Sequence, residues 1–178
     1  TDDPLHGTQE GRFFHGYYRH YCYLPLYVFC GDALLVAQLR PSNIDGAAGT
    51  EEELTRIVVQ IRERWPDVQI IVRGDSGFAR DSIMSWCEEN GVDYILGLAK
   101  NARLVRKIET QLERVRRKYL GRKKSARCYR DFTYRTQNSW SRKRRVVGKA
   151  EHLAKGPNPR FVVTSLTKKA YGTRELYE

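Results

Sequence analysis

An aspartate that follows a short apolar run is the first residue whose position suggests chemistry. The run is Val68–Val72, and residues 73–78 continue it as Arg-Gly-Asp-Ser-Gly-Phe. An apolar run that breaks at a glycine is typical of a buried parallel strand ending in a loop. In open α/β sheets, functional groups collect beyond the carboxyl ends of the strands. Asp75 is therefore the leading candidate. The alternative is that Asp75 or Ser76 only caps the next helix.

Other carboxylates could complete a metal site with Asp75. Phosphodiester chemistry with two Mg²⁺ ions needs several carboxylates, because hard cations prefer oxygen ligands. One ion activates the attacking water or 3′-hydroxyl, and the other stabilises the leaving oxygen. Asp2 and Asp3 lie where a strand before residue 1 would end, so they are candidates for the second ligand. Glu175 and Glu178 are the late candidates for the third.

Charge is distributed unevenly along the 178 residues, whose net charge is +11. Residues 1–99 hold 15 acidic and 8 basic residues, whereas residues 100–149 hold 3 acidic and 19 basic residues. This pattern predicts a polyanionic partner, and nucleic acid is the commonest one. The alternative is a solvated basic surface without a partner. No basic helix carries a broad apolar face, which argues against a membrane-surface role.

Aromatic and basic residues alternate in the basic stretch, which suits phosphate contacts combined with packing against bases or sugars. Trp140 is predicted at an exposed hairpin tip, and a basic turn follows the third predicted helix. The candidate DNA contacts are Trp140, Arg142, Lys143, Arg144, Arg145, Arg122, Lys123 and Lys124. The alternative is that Trp140 packs back on the sheet and the basic run is only solvated.

The elements that must position these residues follow from periodicity and turn signals. Residues 1–20 are predicted to form a loop. Strands are predicted at 21–30 and 33–39, as a hairpin, and at 68–72, 92–99, 126–135, 142–150 and 160–166. Helices are predicted at 51–64, with a capping box at Thr50 and Glu53, and at 79–89 and 101–118. The order predicts an α/β fold with a basic β-rich insertion at 119–166.

The remaining composition limits the class of protein. The chain is long enough for one domain with an insertion, and no apolar run could span a bilayer. Residues 1–4 are not a signal peptide, and the missing initiator Met suggests a fragment. The four cysteines lack zinc-type spacing, so we expect them to be reduced and the protein to be cytoplasmic. The histidines also fit no standard metal spacing and are interpreted as locally hydrogen-bonded.

The chain resembles the catalytic region of bacterial insertion-sequence transposases of the DDE type. It is similar to the branch marked by the signature Tyr-x2-Arg-x3-Glu-x6-Lys. The resemblance covers essentially the whole chain and rests on residues 1–11, 73–78 and 92–97, together with the order of elements.

This resemblance implies a ribonuclease-H-like mixed sheet flanked by helices. The implied parts are a catalytic core at 1–118, the basic insertion at 119–166 and the start of a returning core segment at 167–178. Asp75 corresponds to the second catalytic Asp and binds metal. The first Asp of the family often lies two residues before a Thr or Ser. Thr1 would be this Thr or Ser, which places the first catalytic Asp just before the chain begins. Asp2 and Asp3 would then be sequence neighbours of that Asp. Tyr171, Arg174 and Glu178 fit the Tyr-x2-Arg-x3-Glu part of the signature.

The implied function is metal-dependent cleavage and strand transfer of DNA at transposon ends. Mg²⁺ is the implied cofactor, with Mn²⁺ as a substitute, and the implied assembly is a homodimer on paired ends in the bacterial cytoplasm, at the nucleoid. Tyr171 and Arg174 would contact phosphate. The alternatives are a non-catalytic nucleic-acid-binding module and a ribonuclease-H-like nuclease without strand transfer.

Overall fold

Short antiparallel strands dominate the first part of the chain. The computed structural model describes residues 2–178, and the chain divides into two units, Thr1–Val68 and Gln69–Glu178. In the first unit, β3 lies between β1 and β2 in one sheet, and β4 pairs with β5 in a hairpin. The strands are β1 (Asp3–Pro4), β2 (Phe13–His15), β3 (His20–Tyr23), β4 (Leu26–Cys30) and β5 (Ala33–Gln38).

Two predictions about the strands of this unit need correction. Residues 1–20 are not all loop, since β1 and β2 lie there. The single strand predicted at 21–30 is interrupted around Pro25, which cannot donate a backbone hydrogen bond. The amide of Leu24 instead bonds to the carbonyl of Arg40 at 2.8 Å. The β4–β5 hairpin is confirmed, with Gly31 in the left-handed region at φ 58° in its turn.

Helix α1 (Thr50–Arg64) closes the first unit and confirms the predicted amphipathic helix. Its buried side chains include Leu54, Ile57 and Val58, at helical spacing. The predicted capping box is wrong, because the N-cap residue is Gly49 in the left-handed conformation and Thr50 is already helical. In the described part of the chain, the buried Thr50 hydroxyl has no hydrogen-bond partner.

The second unit is built on a six-stranded mixed sheet, which confirms the α/β fold class. The strand order is β10-β9-β11-β7-β6, and β8 also pairs with β9. The strands are β6 (Ile71–Gly74), β7 (Asp93–Leu98), β8 (Ala126–Tyr134), β9 (Arg144–Leu153), β10 (Gly156–Pro157) and β11 (Arg160–Thr164). Only β6 and β7 pair in parallel. The strands of segment 119–166 thus continue the sheet that begins with β6.

Four helices accompany this sheet, and one prediction about them is wrong. They are α2 (Asp81–Glu89), α3 (Ala102–Lys107), α4 (Glu109–Arg122) and α5 (Thr173–Tyr177). The single helix predicted at 101–118 is broken at Ile108, which is fully buried. Its Cγ2 lies only 2.7 Å from the point that a Cβ on Gly148 of β9 would occupy. The break lets Ile108 pack against the backbone of β9 at Gly148, where no side chain intervenes.

The sheet strand before Asp75 also begins later than predicted. Val68 is exposed, and its amide bonds to the carbonyl of Trp65 in a turn rather than to a neighbouring strand. Backbone pairing with β7 starts near Ile70, whose carbonyl accepts the amide of Asp93 at 2.9 Å. Within residues 2–178, no helix is long and apolar enough to cross a membrane.

A buried arginine joins helix α2 to strand β9. The Arg144 side chain is only 2% exposed. Its Nη1 donates to Asp81 Oδ1 at 2.5 Å, and its Nε and Nη2 donate to the two carboxylate oxygens of Glu88 at 2.7 and 3.1 Å. The fully buried Tyr94 hydroxyl also donates to Glu88, at 2.8 Å. Because two carboxylates face one guanidinium, their pairing offsets the free-energy cost of burying these charges.

The pKa values of this cluster follow from the competition between burial and pairing. Burial alone would raise the pKa of Glu88, but hydrogen bonds from Arg144 and Tyr94 outweigh it and hold the pKa below its usual range. The pKa of Asp81 is lowered in the same way, against burial, by bonds from Arg144 and Ser141. Burial would lower the pKa of Arg144, but its bonds to Glu88 and Asp81 raise it. Asp81, Glu88 and Arg144 are therefore all charged at neutral pH, while the Tyr94 hydroxyl keeps its proton.

We expect Arg144→Met to lower the free energy of unfolding by about 3–5 kcal/mol at pH 7, because it removes the buried cation that pairs with both Asp81 and Glu88. The folded-state pKa values of Asp81 and Glu88 are depressed, so their stabilisation is present above their unfolded pKa values and is lost as pH falls through the lowered ones. The difference between wild type and variant should therefore shrink below about pH 4. Urea unfolding followed by tryptophan fluorescence measures both quantities.

Arg142→Met is the matched control. Arg142 also pairs with Glu88, at 3.3 Å, but its side chain is 57% exposed. An exposed pair contributes at most about 1 kcal/mol. Equal losses for the two variants would show that burial of Arg144 does not matter to stability.

Candidate active site and basic surface

Asp75 directly follows the last residue of β6, on the surface of the second unit. Its side chain is exposed, and Oδ1 accepts a hydrogen bond from the Gly77 amide at 2.7 Å. This bond caps the single 3₁₀ turn Ser76–Phe78. The prediction that the preceding strand is parallel is confirmed by its pairing with β7. The capping role considered from the sequence is also present. The carboxylate therefore has a fixed orientation while remaining open to solvent.

Two glycines allow the backbone around Asp75 to pack closely against its neighbours. A Cβ on Gly97 of β7 would lie 2.9 Å from the amide nitrogen of Ser76 and 3.1 Å from the carbonyl carbon of Asp75. A Cβ on Gly74 would lie 3.2 Å from the side chain of Phe78. Distances below about 3 Å are steric overlaps, so the loop can follow this path only because residue 97 has no side chain.

Asp2 and Asp3 lie in the first unit. Asp3 begins β1, opposite Tyr23 of β3. The expectation that a strand ends just before these two acids concerns positions outside the described residues and stays a prediction. Oδ2 of Asp2 lies 2.6 Å from Nε2 of His20. Thr1, the residue expected beside the first catalytic Asp, lies outside the described residues. The assignment of Asp2 or Asp3 as a ligand alongside Asp75 stays a prediction.

Glu178 is engaged by neighbours on β8 and α5. Its carboxylate accepts hydrogen bonds from the Tyr129 hydroxyl of β8 at 3.0 Å and from Nε of Arg174 at 2.8 Å. The bond to Arg174, followed by that from Tyr129, lowers the pKa of Glu178. Leu176 of α5 is buried in one apolar cluster with Val147 and Leu166, and Ile71 of β6 packs against the same cluster. The pairing of Glu178 with Asp75 as metal ligands stays a prediction.

The residues around α5 have other partners as well. The backbone carbonyl of Tyr171 accepts a hydrogen bond from Nη2 of Arg145 at 3.1 Å. The guanidinium of Arg174 is exposed and paired only with Glu178 among the described residues. The expected phosphate contacts by Tyr171 and Arg174 stay predictions.

The expected exposure of three candidate DNA contacts is wrong. Trp140 is 6% exposed and meets Tyr134 edge to face, with ring centroids 5.7 Å apart. Arg144 is buried in its carboxylate cluster. Arg145 donates to Asp131 at 2.6 and 2.8 Å, and its side chain is 11% exposed. The alternative considered for Trp140, packing back on the sheet, is what the structure shows.

Other predicted contacts are exposed. They are Arg142, Lys143, Arg122, Lys123 and Lys124. The last three lie at the end of α4, where Lys123 adopts the left-handed conformation as the C-cap. Because these three residues are exposed, their charged groups can contact phosphates from solvent.

A surface groove adds basic residues that the sequence did not single out. It is lined by Arg103, Lys107, Thr133, Tyr134, Arg135, Thr136, Gln137 and Lys143. Four of these side chains are cationic and none is acidic. The guanidinium of Arg103 lies 5.7 Å from the ring centre of Tyr134, the same ring that Trp140 supports. The excess of basic residues in 100–149 was the only sequence signal, because α3, β8 and the following turn are brought together by the fold.

Comparison with known families gives a match over the entire chain. The family described as transposase DDE domain group 1 matches residues 1–178. The chain belongs to this DDE transposase family. The resemblance inferred from the sequence is thereby confirmed. A search of curated proteins finds no match. The family is one of polynucleotidyl-transferase-type enzymes that act on DNA and generally use a divalent metal.

The residues of this DDE transposase chain fit a hard divalent ion in part. Asp75 offers an exposed, oriented carboxylate, which is the ligand type that Mg²⁺ prefers. Among residues 2–178, however, the structure does not gather three metal-ligating side chains around Asp75. Asp75 can therefore supply one ligand.

We expect Gly97→Ala to displace the Asp75 loop, because the added methyl group would overlap the Ser76 amide. The free energy of unfolding should fall by about 1–3 kcal/mol, as for other over-packed sites. Urea unfolding measures the loss, and the amide resonances of residues 75–77 report the displacement.

Gly121→Ala serves as the control, since no atom lies within 4 Å of a Cβ at that position of α4. Its stability should stay the same or rise by up to about 1 kcal/mol. Unchanged stability and unchanged resonances in Gly97→Ala would contradict the proposed packing role.

Proposed function

We propose that this chain is the catalytic region of a transposase that cleaves and joins DNA at transposon ends, with Asp75 as one carboxylate ligand of a divalent metal. The observation that carries the proposal is the position of Asp75 in a DDE family member. It follows the carboxyl end of a parallel strand, is exposed and has a fixed orientation. Mg²⁺ is the proposed ion, with Mn²⁺ as a substitute.

The reaction is an in-line displacement at phosphorus by water or by a 3′-hydroxyl. A bound divalent ion supplies Lewis-acid activation of the nucleophile and stabilisation of the leaving oxygen. The chain contributes positioning. The Gly77 amide fixes Oδ1 of Asp75, and close packing at Gly97 fixes the backbone that carries it. A ligand held in this way loses little freedom on binding, which favours a well-defined reactive geometry.

The basic groove is the proposed DNA-binding surface of the second unit. Its four cations can pair with successive phosphates, and the Tyr134 ring keeps Arg103 in place. The exposed basic turn at Arg122–Lys124 and the exposed Arg142 extend the positive surface. Binding of this kind is dominated by charge and depends little on base sequence.

We further propose that two copies of the protein act together on paired transposon ends, in the bacterial cytoplasm at the nucleoid. The competing functions differ in what they require of Asp75. A binding module does not need its charge, and a ribonuclease-H-like nuclease needs it but accepts only water as the nucleophile.

The first test is Asp75→Asn. Asparagine keeps an oxygen that can accept the Gly77 amide, so the variant should fold, but it removes the charge that binds the ion. We expect metal-dependent cleavage and strand transfer to fall by at least about 100-fold, because even partners of metal ligands cost about 10–100-fold. The assay uses labelled transposon ends with Mg²⁺ or Mn²⁺.

Asp67→Asn, at an exposed position of the first unit, is the matched control and should retain activity. Metal binding by calorimetry should show the same contrast between the two variants. If Asp75→Asn cleaves and joins DNA as well as wild type, the catalytic assignment is wrong. Cleavage without joining when a 3′-hydroxyl is offered would favour the nuclease.

The second test neutralises the groove. We expect Arg135→Ala and Lys143→Ala each to weaken DNA binding and to reduce the slope of log K against log salt by about 0.9, the value for one lost phosphate contact. Fluorescence anisotropy with a duplex at several salt concentrations measures the slope. Arg64→Ala, an exposed arginine at the end of α1, should leave it unchanged. Equal effects at all three positions would mean that the groove is not a distinct binding surface.

A further inference from the structure

Three potential metal ligands of different chemistry meet in the first unit. They are Asp2, which precedes β1, and His20 and Cys22 of β3. A carboxylate oxygen, an imidazole nitrogen and the thiol sulfur all lie within 4.8 Å of one another. His20 and Cys22 are two residues apart on a strand, so both side chains point to the same face. Pairing of β1 with β3 brings Asp2 to them.

The burial of these groups suits an ion that enters from solvent and is held inside. Cys22 is 0% exposed, whereas the side chains of Asp2 and His20 are 22% and 43% exposed. The sulfur would form the inner wall of the site, and the other two groups would close it from outside. At present Oδ2 of Asp2 and Nε2 of His20 are 2.6 Å apart, so binding would exchange one hydrogen bond for two metal bonds.

The donor set distinguishes this cluster from Asp75. A thiolate, an imidazole and a carboxylate are the ligands of Zn²⁺ and similar transition metals, whereas Mg²⁺ takes oxygen alone. Three protein ligands leave one tetrahedral position for water or another group. The cluster lies within the first unit. A role of Asp2 here competes with its predicted role as a ligand alongside Asp75, whereas the exposure and orientation of Asp75 itself do not depend on the cluster.

We propose that Asp2, His20 and Cys22 bind a transition metal of the Zn²⁺ class. Binding releases the thiol proton to solvent and joins the residue before β1 to the central strand of its sheet. The site does not depend on the proposed transposase activity, so either can fail without the other.

The test is titration of the 178-residue chain with Co²⁺ under reducing conditions. Co²⁺ replaces Zn²⁺ in such sites and absorbs in the near ultraviolet only when a thiolate is bound to it. We expect this band to appear at one equivalent and to disappear on addition of Zn²⁺. Mg²⁺ in large excess should leave the band intact.

The variants locate the site. Cys22→Ser should abolish the near-ultraviolet band, and His20→Gln should weaken Co²⁺ binding at least about 10-fold. Cys30→Ser, which changes the exposed thiol of β4, is the matched control and should behave as wild type. Circular dichroism checks folding, and His20→Gln at a half-exposed position keeps the test valid if Cys22→Ser unfolds. Absence of the band in wild type, its loss in Cys30→Ser or displacement by Mg²⁺ would each overturn the proposal.

Discussion

The second unit depends on one buried guanidinium. Arg144 lies between Asp81 and Glu88 of helix α2 while its backbone belongs to β9, so it joins the helix that follows the Asp75 loop to the sheet. Charges removed from water are tolerated only when they are paired and fully hydrogen-bonded. The second carboxylate and the Tyr94 hydroxyl satisfy that condition. Because Asp81 is the first residue of α2, the cluster joins the start of that helix to β9.

Positioning of Asp75 is achieved by the backbone rather than by neighbouring side chains. The absence of a Cβ at Gly97 allows β7 to approach the loop, and the Gly77 amide orients the carboxylate. Main-chain constraints of this kind leave the carboxylate exposed for a ligand, which a cage of side chains would restrict. This combination of fixed orientation and exposure is what a metal ligand at the end of a strand needs.

The positive surface consists of two populations of basic residues. Arg144 and Arg145 pair with carboxylates inside the unit and stabilise the fold. Residues such as Arg135 and Lys143 lie on the surface around an aromatic support. A guanidinium can serve either purpose, because it forms bidentate pairs with carboxylates and phosphates alike. Burial decides which purpose each residue serves.

The sequence alone determined the α/β class, the β4–β5 hairpin, helix α1 and the position of Asp75 after a parallel strand, because these depend on local periodicity and on turn residues. It also determined the family, through the short motifs at residues 1–11, 73–78 and 92–97 and the order of elements. Only the tertiary structure decided that Trp140 and Arg144 are buried, that Ile108 breaks a helix, and that Asp2 meets His20 and Cys22. Those outcomes depend on which strands, far apart in the sequence, pair with one another, and the local sequence around each residue does not determine that pairing.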